Sequence, residues 1–194
     1  LNTLATALSG VPAVIFTSIL YVVDNLLSIL VPSSSGIAAL TIPIFGPLVE
    51  LMGLNPEAAV TGLSMGGGGT LRAMSVGSDL FAAAVPVCPT MTPETFHILC
   101  GLTHAKIWVA ASYIDHTLYR HKYLVDAVLA LRDAGNQDAH LTLFSPEDLA
   151  KYGIGIIPDM PLEARFGWNH TCWIPTYHDE FGIMSWMMSQ VRDE

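Results

Sequence analysis

Between Val60 and Thr70 the chain reads Val-Thr-Gly-Leu-Ser-Met-Gly-Gly-Gly-Gly-Thr. This contains Gly-x-Ser-x-Gly, with Ser64 at its centre and glycine on both sides. A β-prone run (Ala58, Ala59, Val60) precedes it, and a helix-compatible run from Thr70 to Met74 follows. The pattern predicts a strand that turns sharply into a helix and holds the Ser64 hydroxyl at the apex, the geometry of a nucleophile elbow. Steric crowding explains the glycines. A strained turn leaves little room for side chains, and Gly adopts backbone angles that other residues resist. The N–H of Met65, next in the chain, then points to where an oxyanion would form.

Composition divides the chain. Apolar residues make up 52% and charged residues 13%, against about 25% charged in an ordinary soluble domain. Residues 1–59 hold no Lys or Arg, and their only acids are Asp24, Glu50 and Glu57; the first basic residue is Arg72. Such a step predicts two modules, 1–57 and 58–194. The net charge of −9 offers no basic stripe to neutralise phosphates, which argues against nucleic acid as a partner. Cys88, Cys100 and Cys172 lack metal-ligand spacing; their odd number fits free thiols in a reducing compartment, with a disulfide as the other reading. No positively charged leader or small-residue cleavage site marks a signal peptide.

Residues 11–31 read VPAVIFTSILYVVDNLLSILV, about the length that crosses a bilayer. Asp24 and Asn25 interrupt this run, and a buried helix of a soluble protein is the other reading. Pro32-Ser33-Ser34-Ser35-Gly36 then breaks the apolar run, which resumes as IAALTIPIFGPLVELMGL with Pro43 and Pro47 inside it. An apolar helix, a small polar break and a proline-broken helix fit a transporter-type segment.

From Ala58 onward, strands and helices alternate. Ala82–Cys88, Lys106–Ala111 and His140–Phe144 read as further strands. Tyr119–Ala134 reads as a helix, with Tyr123, Leu124, Ala127, Val128 and Leu131 at three- and four-residue spacing and Gly135 as its stop. Residues 145–168 read as a loop and Thr176–Gln190 as a closing helix. The rhythm predicts an α/β fold with a parallel sheet of about four strands, right-handed crossovers and flanking helices, preceded by apolar, membrane-type helices.

A serine nucleophile needs a base, and the base needs a carboxylate to orient it. Asp115 lies just past the third strand, at the end where sites in parallel sheets gather. His170 lies in Gly167-Trp168-Asn169-His170-Thr171-Cys172-Trp173, after the fourth strand. Each has a plainer reading: Asp115 as a helix-terminal acid stabilised by the helix dipole, and His170 as a loop histidine bonded to backbone. The histidines show no ligand spacing and no dinucleotide fingerprint is present, so neither a metal nor an organic cofactor is expected.

Two resemblances add to this reading. The run LVPSSSGIAALTIPIFGPLVELMGL, within residues 10–59, resembles a segment of the YfcC-type membrane carriers. That resemblance implies a cation- and anion-binding hairpin tip at Ser33, Ser34 and Ser35. A carrier needs many spans, so one or two spans cannot transport alone. The blocks TGLSMGGGGT, DLFAAAVPVCP, KIWVAASYIDHT and WNHTCWIPTYHDEFGIMSWMMSQ, within residues 58–190, resemble the C-terminal half of an esterase or prolyl-oligopeptidase-like α/β-hydrolase. By that resemblance Ser64 is the nucleophile, Asp115 the orienting acid and His170 the general base. Trp168, Asn169 and Trp173 would line the substrate pocket. The His-Gly-type loop that supplies a second oxyanion N–H in that family has no counterpart in residues 1–57, and its loss costs about 10²–10³ in rate. The chain therefore reads as a fusion joined near Asn55 to Val60.

Three functions are expected from these features. One is a serine hydrolase acting on a small ester, acyl or peptide substrate through an acyl-enzyme. Another is a carrier fragment associated with the membrane through residues 11–52. The third is a hydrolase-like domain without activity. Localisation follows the first two readings: membrane-associated or cytoplasmic, in a bacterial-type setting.

Overall fold

The computed structural model describes residues 11, 12, 15, 16, 19, 22, 23, 26, 27, 30, 58–115, 117, 119–154 and 170–191. The chain divides into two compact units, Leu1–Ala58 and Ala59–Glu194. In the first, Ile15, Phe16, Ile19, Val22, Val23, Leu26, Leu27 and Leu30 are helical. The N–H groups of Ile15 and Phe16 donate to the Pro12 carbonyl at 2.9 and 3.0 Å. Phe16 is buried, while Ile15, Ile19, Val22, Val23, Leu26 and Leu30 are exposed. Among the described residues no helix is long and apolar enough to cross a membrane.

The second unit is a four-stranded parallel sheet in the order β1-β2-β3-β4. Its strands are β1 (Ala58–Leu63), β2 (Phe81–Val87), β3 (Ile107–Ser112) and β4 (Ala139–Phe144). Three helices link them: α1 (Met65–Gly77), α2 (Pro93–Gly101) and α3 (Arg120–Asp133). All four strands and the α3 helix follow the sequence pattern closely. Strand β2 is buried from Ala82 to Val87, as the apolar run of an inner parallel strand demands. Its three alanines take little space, and α1 packs closely on this strand. The β2–β3 register pairs Ala84 with Ile107 and Val87 with Ala110. The β3–β4 register runs from Ile107 opposite Ala139 to Ser112 opposite Phe144. Leu71, Met74, Val85, Leu99, Val109, Leu124 and Leu131 join these strands in one core.

Helix ends obey local chemistry. In α2, Thr92 and Thr95 form a reciprocal cap, with Pro93 in the first turn. Helix α3 ends at Gly135, whose φ is 95°. Asn136 N–H donates to Leu131 O and Gly135 N–H to Arg132 O, at 3.0 and 2.9 Å, the double closure of a Schellman end.

Two sequence expectations need correction. The segment expected as loop from 145 onward begins with a short helix, α4 (Pro146–Ala150). Ser145 accepts from Asp148 N–H and Asp148 accepts from Ser145 N–H, so a capping box nucleates the helix. The closing helix is two helices, α5 (Trp173–Tyr177) and α6 (Ile183–Ser189). Asp179, Phe181 and Gly182 between them all have positive φ, which an α-helix excludes. The Asp179 carboxylate compensates by accepting from Met184 and Ser185 N–H at 2.7 and 2.9 Å, capping α6 from outside. Trp186 of α6 then packs edge-on against Trp108 and His140, with ring centroids 5.4 Å from each.

Candidate active site

Ser64 sits between β1 and α1 with φ 57° and ψ −111°. This lies outside the ordinary left-handed helix basin, and such a backbone costs about 1–3 kcal/mol unless its surroundings hold it. Here they do. Ser64 N–H donates to Val87 O at 2.8 Å, while the Ser64 carbonyl accepts from Gly68 N–H at 3.0 Å and Thr90 N–H at 2.9 Å. These bonds tie the turn to the end of β2 and to the loop beyond it. The flanking glycines differ in what they do. A Cβ on Gly62 would lie 2.5 Å from Gly66 O, and one on Gly67 would lie 2.8 Å from both Val87 O and Pro89 Cα. A Cβ on Gly66 would meet nothing within 4 Å. Met65 opens α1, so its N–H is among the first four that the helix leaves without an internal acceptor.

Asp115 lies three residues beyond β3 and is buried. Its Oδ2 stands 3.0 Å from His170 Nδ1, and its Oδ1 accepts from Thr117 N–H at 3.2 Å. Arg120, the first residue of α3, is also buried and pairs with the same Oδ2 through Nη1. Its Nη2 donates to Thr117 Oγ1 at 2.8 Å. The 2.9 Å approach of Arg120 Nη1 to His170 Nδ1 follows from this shared acceptor. With the carboxylate accepting from both, Nδ1 carries its proton and the two nitrogens lie side by side as donors.

Burial by itself would raise the Asp115 pKa. The hydrogen bond from His170 and the Arg120 charge outweigh it and lower the pKa to about 2. Burial would likewise depress His170, but hydrogen bonds to Asp115 and to the Cys88 thiol raise it to about 9. Cys88 is drawn down to about 6, by a hydrogen bond from Cys172 against the cost of burial and with help from His170. Burial and the neighbouring Cys88 push Cys172 up. Arg120 and His170 are the basic groups of this cluster, and Asp115 and Cys88 the acidic ones.

The structure thus brings Asp115 and His170 together and sets Ser64 on the strand-to-helix turn. Among the described residues Ser64 Oγ makes no hydrogen bond. Trp173 begins α5, three residues past His170, and is partly exposed. Trp168, Asn169, Ser33, Ser34 and Ser35 lie outside the described residues. Sequence reasoning missed Arg120 and Cys88. Neither has a motif; each reaches the cluster from a different element, and only the sheet order makes them neighbours.

Comparison with known proteins finds two kinds of similarity. Residues 1–88 match the family model of DcuC, described as a C4-dicarboxylate anaerobic carrier. The match runs through β1 and β2. A solved structure described as a thermostable esterase is 25% identical, with a TM-score of 0.57, over 78% of this chain. The chain spans 36% of that esterase's length. No curated protein matches. The chain therefore joins carrier-like sequence to an esterase-like fold.

Proposed function

We propose that the second unit is a serine hydrolase of the carboxylesterase or peptidase type, working through an acyl-enzyme. Ser64, held at φ 57° on the turn between β1 and α1, carries this reading. Ser64 attacks the acyl carbon and His170 takes its proton. Asp115 holds the imidazole tautomer through Nδ1. Met65 N–H donates to the oxyanion. The imidazole then returns its proton to the leaving alcohol or amine, and water repeats the sequence to release the acid. Trp168, Asn169 and Trp173 are assigned to the substrate pocket, with a small ester, acyl or peptide compound as substrate. The esterase-like fold supports hydrolysis as the class of reaction.

A fluorophosphonate serine probe tests this on the whole chain beside Ser64→Ala and His170→Ala. Labelling of the wild type alone is expected. A folded wild type that stays unlabelled would reject the hydrolase and favour an inactive domain. The carrier-family match favours a second role for residues 11–52 as a membrane-associated segment, with Ser33, Ser34 and Ser35 as its polar tip. Flotation of the chain with lipid vesicles, lost on deletion of residues 1–57, is the result expected of that reading.

A further inference from the structure

Cys88 Sγ and Cys172 Sγ stand 2.8 Å apart, and both side chains are fully buried. Cys88 follows β2 with φ 42°, and its N–H donates to Ala110 O at 2.7 Å. Cys172 lies two residues beyond His170, and its carbonyl accepts from Thr176 N–H and Oγ1 at 3.2 and 2.8 Å. Backbone hydrogen bonds therefore hold the chain at both sulfurs. A disulfide bond is about 2.05 Å long, so the two sulfurs already stand close to bonding distance. The His170 side chain, which lies beside Cys88, is 18% exposed.

We propose that Cys88 and Cys172 are a redox modification site, closed to a reversible disulfide by small hydroperoxides, set directly against the Asp115–His170 pair. The two thiols have distinct parts. Cys88, whose sulfur lies within 4.8 Å of a His170 ring nitrogen, is drawn toward the thiolate and is the attacking sulfur, while burial favours the protonated form of Cys172. The Cys88 thiolate attacks one peroxide oxygen and the O–O bond breaks. Cys88 becomes a sulfenic acid, and the departing oxyanion takes the proton of His170. Cys172 sulfur then attacks the sulfenic sulfur, the S–O bond breaks, and water leaves with the thiol proton. Two thiols and one hydroperoxide yield one disulfide, one water and one alcohol, or a second water from hydrogen peroxide.

A metal ion is the competing occupant, since ligand atoms of Cys88, Asp115 and His170 all lie within 4.8 Å of one another. Two features oppose it. Arg120 Nη1 already holds Asp115 Oδ2, so a dication would face a buried guanidinium. Two thiolates on a tetrahedral zinc with Zn–S of about 2.3 Å stand about 3.8 Å apart, wider than the Cys88–Cys172 separation.

Closing the disulfide also removes a thiolate from His170. The imidazole loses one of the partners that hold its proton, and its titration moves to lower pH.

The test uses the reduced 194-residue chain, titrated with hydrogen peroxide and then alkylated in denaturant. Intact mass and a non-reducing peptide map are read. The expected product is lighter by two hydrogens before alkylation and carries a Cys88–Cys172 cross-linked peptide. Cys100 stays alkylated, and dithiothreitol reverses the change. Cys88→Ser and Cys172→Ser each abolish the cross-link. Should either variant fail to fold, the wild-type map stands alone as the test. Three results would overturn the proposal: both thiols alkylated after peroxide treatment, oxidation of Cys88 running on to sulfinic acid, or one tightly held zinc per chain protecting both. The map reads sulfur alone, and Ser64→Ala gives the same cross-link, so failure of the hydrolase reading is seen separately.

Discussion

Gly62→Ala tests the turn that holds Ser64. The new Cβ would lie 2.5 Å from Gly66 O and 2.6 Å from Gly66 C. Both are backbone atoms of the turn, so no rotamer change relieves the contact. Overpacking of this kind costs about 1–3 kcal/mol, and fixed backbone on the other side puts this case at about 3 kcal/mol. For a chain of this size each kcal/mol moves Tm by about 2–4 °C, giving a fall of about 6–12 °C. Gly67→Ala should behave similarly, with Val87 O and Pro89 Cα each at 2.8 Å. Gly66→Ala is the control. Its Cβ meets nothing within 4 Å, and replacing a helical glycine by alanine gains up to about 1 kcal/mol. Thermal unfolding followed by circular dichroism reads all three. A Tm for Gly62→Ala within about 1 °C of wild type would refute the clash, and with it the close approach of β1 to the start of α1.

Four further outcomes follow from the site. His170 must be neutral to act as base, so fluorophosphonate labelling should rise with pH through about 9 in the reduced chain; a plateau already reached at pH 7 would contradict the Cys88 and Asp115 contacts. The same groups set a stability window in denaturant titrations. The His170 contribution is complete below its ordinary value of 6.5 and lost as pH rises through about 9, while that of Asp115 is present above 3.8 and lost as pH falls through about 2. Asp115→Asn strips the buried Arg120 of its counter-charge and should cost about 3–5 kcal/mol, read from the urea midpoint; an unchanged midpoint would exclude the pair. Ser64→Gly relieves the φ of 57° and should stabilise the fold by about 1 kcal/mol while ending probe labelling. A loss of stability there would mean that the turn is unstrained.

The fold of the second unit was legible because its signals are local. The apolar run of β2, the periodicity of α3 and the glycine after it each act within one element. The short α4 was missed, although Ser145, Pro146 and Asp148 form its capping box inside what reads as a proline-rich loop. The break between α5 and α6 was hidden, because an apolar run at helical spacing reads as continuous, while Asp179 does its capping through a turn with positive φ. Residue type, order and resemblance singled out Asp115 and His170, which the fold sets 3.0 Å apart, and Ser64, which it sets on the turn between β1 and α1.

The sequence by itself determined the two-part character of the chain, the α/β alternation and the serine at a glycine-flanked turn. Each rests on composition, on the period of apolar residues, or on steric needs within a few residues. Only the tertiary structure decided what surrounds His170. Cys88, the stretch from Asp115 to Arg120, and Cys172 come from three separate segments of the chain, and no local pattern links the three. Parallel strands place the loops that follow β2 and β3 at the same end of the sheet, and there these side chains gather beside His170.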